Sequence, residues 1–158
     1  RDTNPTLASR LEAEKRVTFL RAKVEDMMVD ESSIDIVLST CVLPHGAAPT
    51  EAVDSIHRVL RHGGEFLTVM PTDPGRLNAI IKILYTFPMM RLKGVKDPSG
   101  WYKASHINPV NQIIQTTQAC FGKENTEIAF WPLGVGGFNW NLLVSVRAKK
   151  YQDVGSYA

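Results

Sequence analysis

Residues 34–66 constrain the fold more than any other stretch of this chain. Ile34 to Thr40 (IDIVLST) is a nearly continuous apolar run, the mark of a strand buried on both faces of a parallel sheet. Pro44, Gly46 and Pro49 break the chain after it. Glu51 to Arg61 then sets Ala52, Val53, Ile56, Val59 and Leu60 at helical spacing. That pattern predicts an amphipathic helix with Thr50 as N-cap and Gly63 as its stop. Phe66 to Met70 reads as a further short buried strand. Strand, helix and strand between tight breaks make a βαβ unit, so the fold class is α/β.

The flanking elements follow by the same rules. Thr6 to Lys15 is rich in helix formers, Val17 to Val24 reads as a short strand, and the acidic stretch Glu25 to Ser33 as a loop. Gly75 to Tyr85 and Pro109 to Phe121 read as helices, the second capped by Asn108. Glu127 to Trp131 and Phe138 to Arg147 read as an antiparallel pair joined by Pro132 to Gly137. Residues 149–158 form a polar tail beyond a domain expected over 1–148.

Composition narrows the function classes. With 158 residues the chain suits one domain, and a net charge of +2 exerts no global pull toward nucleic acid or membrane. Cys41 and Cys120 are too few for a disulfide scaffold, which points to a reducing cytoplasm. The longest apolar stretch, Ala79 to Met90, is interrupted by Lys82 and Pro88 and falls short of the ~20 residues of a membrane span. No H-E-x-x-H, C-x-x-C pair or carboxylate cluster supports a metal, and no G-x-S-x-G supports a hydrolase.

Two motifs in the central unit carry a family resemblance. Ser33-Ile34-Asp35-Ile36-Val37-Leu38-Ser39 matches the pattern s-F-D-x-V-x-s, and Arg58-Val59-Leu60-Arg61-His62-Gly63-Gly64 matches R-V-L-(K/R)-x-G-G. With the helix between them they resemble class I S-adenosylmethionine-dependent methyltransferases of the small-molecule type 11 kind. The resemblance covers roughly residues 1–70 and 124–148, while 71–123 match only in position. It implies a Rossmann-like, mostly parallel sheet closed by a reversed strand, with S-adenosylmethionine as cofactor. In that frame Gly63-Gly64 build the fold, and Arg58 near the helix C-terminus clamps an acid such as Asp35.

The family's glycine-rich cofactor loop is not matched. The chain's only G-x-G-G, Gly134 to Gly137, lies between two late strands and reads as a hairpin loop. The order of elements leads to the expectation that the first strand-helix-strand unit lies outside this sequence. A longer chain or a partner chain would then complete the sheet. Asp2-Thr3-Asn4-Pro5 resembles the D-x-(S/N)-P that ends the family's second strand, where the acid holds ribose hydroxyls.

Ligands in such sheets sit beyond the carboxyl ends of the parallel strands. This places Val24 to Asp26, Ser39 to His45 and Met70 to Asp73 at the mouth. The resemblance assigns Asp2, Val24, Glu25, Ser39 and Thr40 to the cofactor, Val24 and Glu25 through backbone groups, since Lys23 stands where many members carry Asp. His45 is the candidate general base. Tyr85, Trp101, Tyr102 and His106, from the 71–123 substrate cover, are the candidate lining for a small apolar or aromatic acceptor. Two other readings remain open: a catalytically inactive methyltransferase-like module for binding or assembly, and another Rossmann-like enzyme using a nucleotide.

Overall fold

A computed structural model describes residues 18, 20–46 and 48–151. The expected helix over 6–15 and the candidate Asp2 lie outside the described residues. Among the described residues four strands form one sheet in the order β1-β2-β4-β3: β1 (Ile34–Thr40), β2 (Leu60–Pro71), β3 (Thr126–Trp131) and β4 (Leu143–Lys149). β1 and β2 run parallel, while β2 with β4 and β4 with β3 are antiparallel. The α/β class and the antiparallel closing pair therefore stand, in a sheet that is mixed over the described residues.

The βαβ unit forms as the apolar pattern requires. Helix α1 (Pro49–Val59) buries Ala52, Val53, Ile56 and Val59. Its N-cap is Ala48, with Pro49 in the first turn and no side-chain cap bond, so Thr50 lies inside the helix. Proline supplies the helical φ and lacks an N–H that would need a partner there. The helix ends at Leu60, earlier than Gly63, because Leu60 already pairs with Ile34 of β1. The register then jumps to Ile36 opposite Glu65. The four-residue excursion turns at Gly63 (φ +77°), and a Cβ on Gly64 would stand 2.8–3.2 Å from the carbonyls of Arg61, Asp35 and Ile34. Only glycine fits where β2 comes this close to β1.

Arg58 does not clamp Asp35. Its guanidinium donates to the carbonyls of Met27 (2.9 Å) and Val29 (3.1 Å), tying the 25–33 loop to α1, and Asp35 pairs with Arg61 at 2.5 Å. The expected strand over 17–24 is not formed by its described residues, 18 and 20–24. They have no described strand beside them to pair with, and Val24 instead packs against the core.

Three helices and one π-helical turn occupy 76–105, where the sequence signalled only one helix. α2 (Arg76–Ile81) passes through a π-helical turn (Lys82–Thr86) into α3 (Phe87–Leu92). Pro88 lacks an N–H, and its ring crowds the carbonyl four residues back, so the helix continues only by widening at Leu84. α4 (Pro98–Ser105) follows, capped by Asp97 through Gly100 N–H (2.9 Å). α5 (Val110–Phe121) starts from Pro109, and Asn108 is not its cap. The Asn108 side chain instead donates to the carbonyls of Leu43 (3.1 Å) and Gly46 (2.5 Å).

The segment between β3 and β4 contains a one-turn helix, α6 (Gly137–Trp140), so Phe138 to Asn141 are not strand. The buried Asn141 side chain closes this loop, accepting from Leu133 N–H and donating to the Val135 and Gly137 carbonyls. Lys149 ends β4, and Lys150 donates to the carbonyls of His57 and Leu60, so the sheet edge extends into the expected tail.

Helices α1 and α5 cover one face of the sheet. There Phe66, Met70, Val144 and Val146 meet Ile56 and Ile113, all essentially inaccessible. Each such side chain contributes roughly 1.5–3 kcal/mol by leaving water. The opposite face leaves Ile36 and Leu38 exposed among the described residues. The covered face holds the parallel pair rigid, and that pair aims its carboxyl ends at the candidate site.

Candidate functional site

Two loops leave the carboxyl ends of the parallel strands and meet one helix. A short 3-10 turn, Leu43–His45, follows β1 and presents His45. The chain leaving β2 presents Asp73, and α4 presents Tyr102 and His106 at its C-terminal end. The turn is buried at Leu43 and Pro44, and its Pro44 carbonyl accepts from the N–H groups of Ile107 and Asn108. Together with the Asn108 side chain these bonds fix the β1 exit against the end of α4.

The rings stack in sequence. Tyr102 lies nearly parallel to His106 (centroids 3.9 Å apart, 9°), and His106 meets the His45 ring edge-on at 4.3 Å. Lys82, from the π-helical turn, places Nζ 4.3 Å over the Tyr102 ring and 2.7 Å from Asp73 Oδ1. Both members of that ion pair are largely buried, with side chains 14% and 22% exposed. Phe87 packs edge-on against Tyr102 from behind. A cavity of about 180 Å³ opens beside the cluster, lined by Pro44, Pro71, Asp73, His106 and Asn108.

Hydrogen bonds define the tautomers. His45 Nδ1 lies 2.5 Å from the Ser105 carbonyl, and His106 Nδ1 lies 3.3 Å from the Tyr102 carbonyl. A carbonyl only accepts, so in each neutral ring Nδ1 carries the proton and Nε2 keeps its lone pair. Burial, then the neighbouring His45, hold the His106 imidazole below its ordinary pKa and hence neutral. Burial, then the Asp73 carboxylate that its hydroxyl faces, push the Tyr102 phenol well above the usual range. The cluster is thus a half-buried patch with the His45 ring at its exposed edge, a neutral His106 imidazole, one neutral phenol and one matched ion pair.

The nominated residues separate into groups. His45, Tyr102 and His106 come together. Tyr85 and Trp101 do not join them; they are 66% and 53% exposed on the outer side of the same helices. Val24 packs on the core, and the Glu25 carbonyl accepts from Ser55 Oγ at 3.1 Å, so this backbone group is engaged with α1. Ser39 Oγ is buried without a hydrogen-bond partner, as is Thr68 Oγ1 directly across the β1–β2 pair. Thr40 is exposed at the end of β1, and Cys41 (φ +54°) turns the chain there while its N–H stays bonded to the Val69 carbonyl.

Asp73 was expected at the mouth, as the end of Met70 to Asp73, but neither it nor Lys82 was given a role from the sequence. A signal existed for each: Asp73 stands two residues beyond a buried strand, and Lys82 is the one charge within an otherwise apolar helical stretch. Gly134 to Gly137 are closed on Asn141 at the same end of the sheet, where the Thr72 hydroxyl also donates to the Asn141 carbonyl. Among the described residues no group of three or more potential ligands is placed to hold a metal.

Comparisons with known proteins agree with this architecture. Residues 2–68 match the family described as a methyltransferase domain, of the type 11 kind. A solved S-adenosylmethionine-dependent methyltransferase from Thermotoga maritima, a possible histamine N-methyltransferase, is similar at 15% identity and a TM-score of 0.60 over 90% of this chain and 68% of its own. Phosphoethanolamine N-methyltransferase 2 from Haemonchus contortus, solved with S-adenosyl-L-methionine, is similar at 17% identity and 0.60 over 91% of this chain and 40% of its own. The cyclase SpnF is similar at 14% identity and 0.56 over 93% of this chain and 60% of its own. No curated protein sequence matches the chain. At these identities the structures establish the fold, which is that of class I methyltransferases.

Proposed function

We propose, on the premise that this chain has the class I methyltransferase fold and carries the methyltransferase-domain match over residues 2–68, that it belongs to an enzyme that transfers a methyl group to a small organic acceptor. The observation that supports this most is the meeting of His45, Asp73, Lys82, Tyr102 and His106 at the carboxyl ends of the parallel pair, where ligands of such sheets bind. S-adenosylmethionine, the cofactor of the family, supplies when bound an electrophilic methyl group on a sulfonium centre.

The residues present fit the acceptor side of such a cofactor. Thr40 and the unpartnered Ser39 hydroxyl stand at the end of β1, and a buried hydroxyl without a partner costs about 1–3 kcal/mol, which a bound polar group would offset. We assign Ser39, Thr40 and the Val24–Glu25 backbone to the cofactor side, with Asp2 at the ribose.

The acceptor lies against Tyr102 and His106. His45 Nε2, oriented by the Nδ1–H bond to the Ser105 carbonyl, takes the proton that the acceptor amine, hydroxyl or phenol must lose. The ring stack excludes water and holds the acceptor in line, so proximity carries part of the rate. Residues 1–148 form part of one methyltransferase domain in this reading, with 71–123 as its acceptor cover, in a reducing cytoplasm. The edge of β1 that no other described strand pairs, with the exposed Ile36 and Leu38, supports completion of the sheet by further chain or a partner.

The similarity to a cyclase supports other chemistry on this fold, and the second reading is a chain that binds the cofactor without transferring its methyl group. Calorimetry with S-adenosylmethionine on the full-length protein, followed by isotope transfer from the labelled methyl group, separates the two. Binding with transfer to a small acceptor is expected. Binding without transfer favours the second reading, and no binding at millimolar cofactor overturns both.

A further inference from the structure

The outer side of the acceptor cover is an apolar helical surface exposed to solvent. On α2, the π-helical turn and α3, Ile83, Leu84 and Leu92 are 63%, 74% and 81% exposed, and Ile80, Tyr85 and Trp101 of α4 are each more than half exposed. The described residues provide nothing that covers them. Contiguous exposed apolar surface of this kind marks an interaction site.

Charge identifies what the surface meets. Between Asp73 and Asp97 the sequence holds Arg76, Lys82, Arg91, Lys93 and Lys96 and no carboxylate. Lys82 is neutralised inward by Asp73, but Arg76, Arg91, Lys93 and Lys96 are exposed, and Lys103 adds a further exposed cation on α4. A near-neutral chain thus concentrates uncompensated positive charge around one apolar strip. An apolar strip with a rim of cations and an exposed indole fits the interface of an anionic bilayer. There the apolar side chains enter the acyl boundary while the long basic side chains reach the headgroups. A protein partner would have to supply both an apolar groove and a ring of carboxylates.

We propose that α2, the π-helical turn and α3 dock on an anionic lipid surface and hold the site mouth beside it, since Lys82 of the π-helical turn reaches inward to Asp73 and the Tyr102 ring of α4. Among the described residues no helix is long and apolar enough to cross a membrane; this attachment is to a surface. It does not rest on the methyl-transfer reading, because the measurement needs neither cofactor nor turnover.

Co-sedimentation of the protein with vesicles of phosphatidylcholine and phosphatidylglycerol, against phosphatidylcholine alone, tests it. The expected partition is about tenfold higher or more on the anionic vesicles and falls steeply with added salt. Ile83→Glu with Leu84→Glu removes the apolar insertion, and Arg91→Glu with Lys93→Glu removes the attraction; both pairs are exposed, so Tm holds while binding drops. Absence of binding to anionic vesicles, or binding that neither double variant changes, overturns the proposal. A dimer in sedimentation velocity that the Ile83→Glu, Leu84→Glu variant dissolves, without vesicle binding, overturns it in favour of self-association.

Discussion

Two ion pairs of the same length sit at opposite ends of the sheet. At the carboxyl end Lys82 Nζ meets Asp73 Oδ1 at 2.7 Å, and at the other end Arg147 Nη2 meets Glu65 Oε1 at 2.7 Å. The second pair is bidentate, with Arg147 Nε also donating to Glu65 at 3.1 Å, and the guanidinium reaches toward Glu127 as well. By geometry alone the second is the stronger contact. Environment reverses the ranking. The Arg147 side chain is 51% exposed, where water and salt screen the pair. The Lys82–Asp73 pair is covered by Tyr102, whose ring stacks on the half-buried His106. Equal distances therefore mark a scaffold contact at one end and a contact of the proposed site at the other.

The comparison breaks first at His45. If the carboxyl-end cluster is the reactive one, His45→Gln lowers kcat by about 100-fold or more with KM and Tm little changed. Arg147→Ala leaves the rate constants as they are. Equal losses from both would show that the two ends do not differ in function.

The next largest effect is on stability. Asp73→Asn strands the enclosed Lys82 charge and costs about 2–3 kcal/mol, read as a drop in denaturant midpoint at constant m-value. Asp73→Asn with Lys82→Met recovers most of it, because no unpaired charge remains. Glu65→Gln, tested in the same way, gives a much smaller drop in midpoint. A Glu65→Gln loss as large as that of Asp73→Asn would contradict the ranking by environment.

Much of the scaffold was legible because local rules sufficed for it. β1 begins and ends where the apolar run IDIVLST does, and α1 buries the residues its helical spacing selected. Misreadings arose where a partner distant in sequence decided. Arg58 bonds to loop carbonyls some thirty residues away (|i−j| of 29 and 31), and Asn108 reaches back to Leu43 and Gly46 when local sequence offers it a helix to cap. The site divided in the same way. His45 was readable from its place after a strand, and Tyr102 and His106 from their composition. Yet Tyr85 and Trp101, of the same residue type, face outward. Nothing local separates Tyr85 from Tyr102; the π-helical turn that Pro88 forces sets which side of the helix meets Asp73. Lys82 looked like an interruption of an apolar run until that turn brought it to a carboxylate.

A smaller effect isolates the phenol. Tyr102 faces Asp73 with its hydroxyl and stacks on His106 with its ring. Tyr102→Phe keeps the stack and removes only the hydroxyl, so it costs about 1 kcal/mol. Alanine at the same position removes both and costs more. Double-mutant cycles with Asp73→Asn give a coupling of the same size for the phenylalanine variant; a coupling of zero would detach the phenol from the ion pair.

The smallest effect is a slope, and it separates the two ends by pH. Burial and His45 depress the folded pKa of His106 below its ordinary 6.5. The unfolded chain then binds the proton first as pH falls, so stability present above about 6.5 is lost as the solution is acidified toward the folded value. Hydrogen bonding to Arg147, in turn, lowers Glu65 from 4.5. Its stabilisation is complete above that value and is lost only at lower pH. Thermal unfolding between pH 7 and 5 should therefore report the carboxyl end alone. The decline in Tm over that range flattens in His106→Asn and persists in Glu65→Gln, whereas below pH 4.5 the Glu65 variant is the flatter of the two. A decline between pH 7 and 5 that survives in His106→Asn would place the titrating group elsewhere and remove the half-buried His106 imidazole from this account of the site.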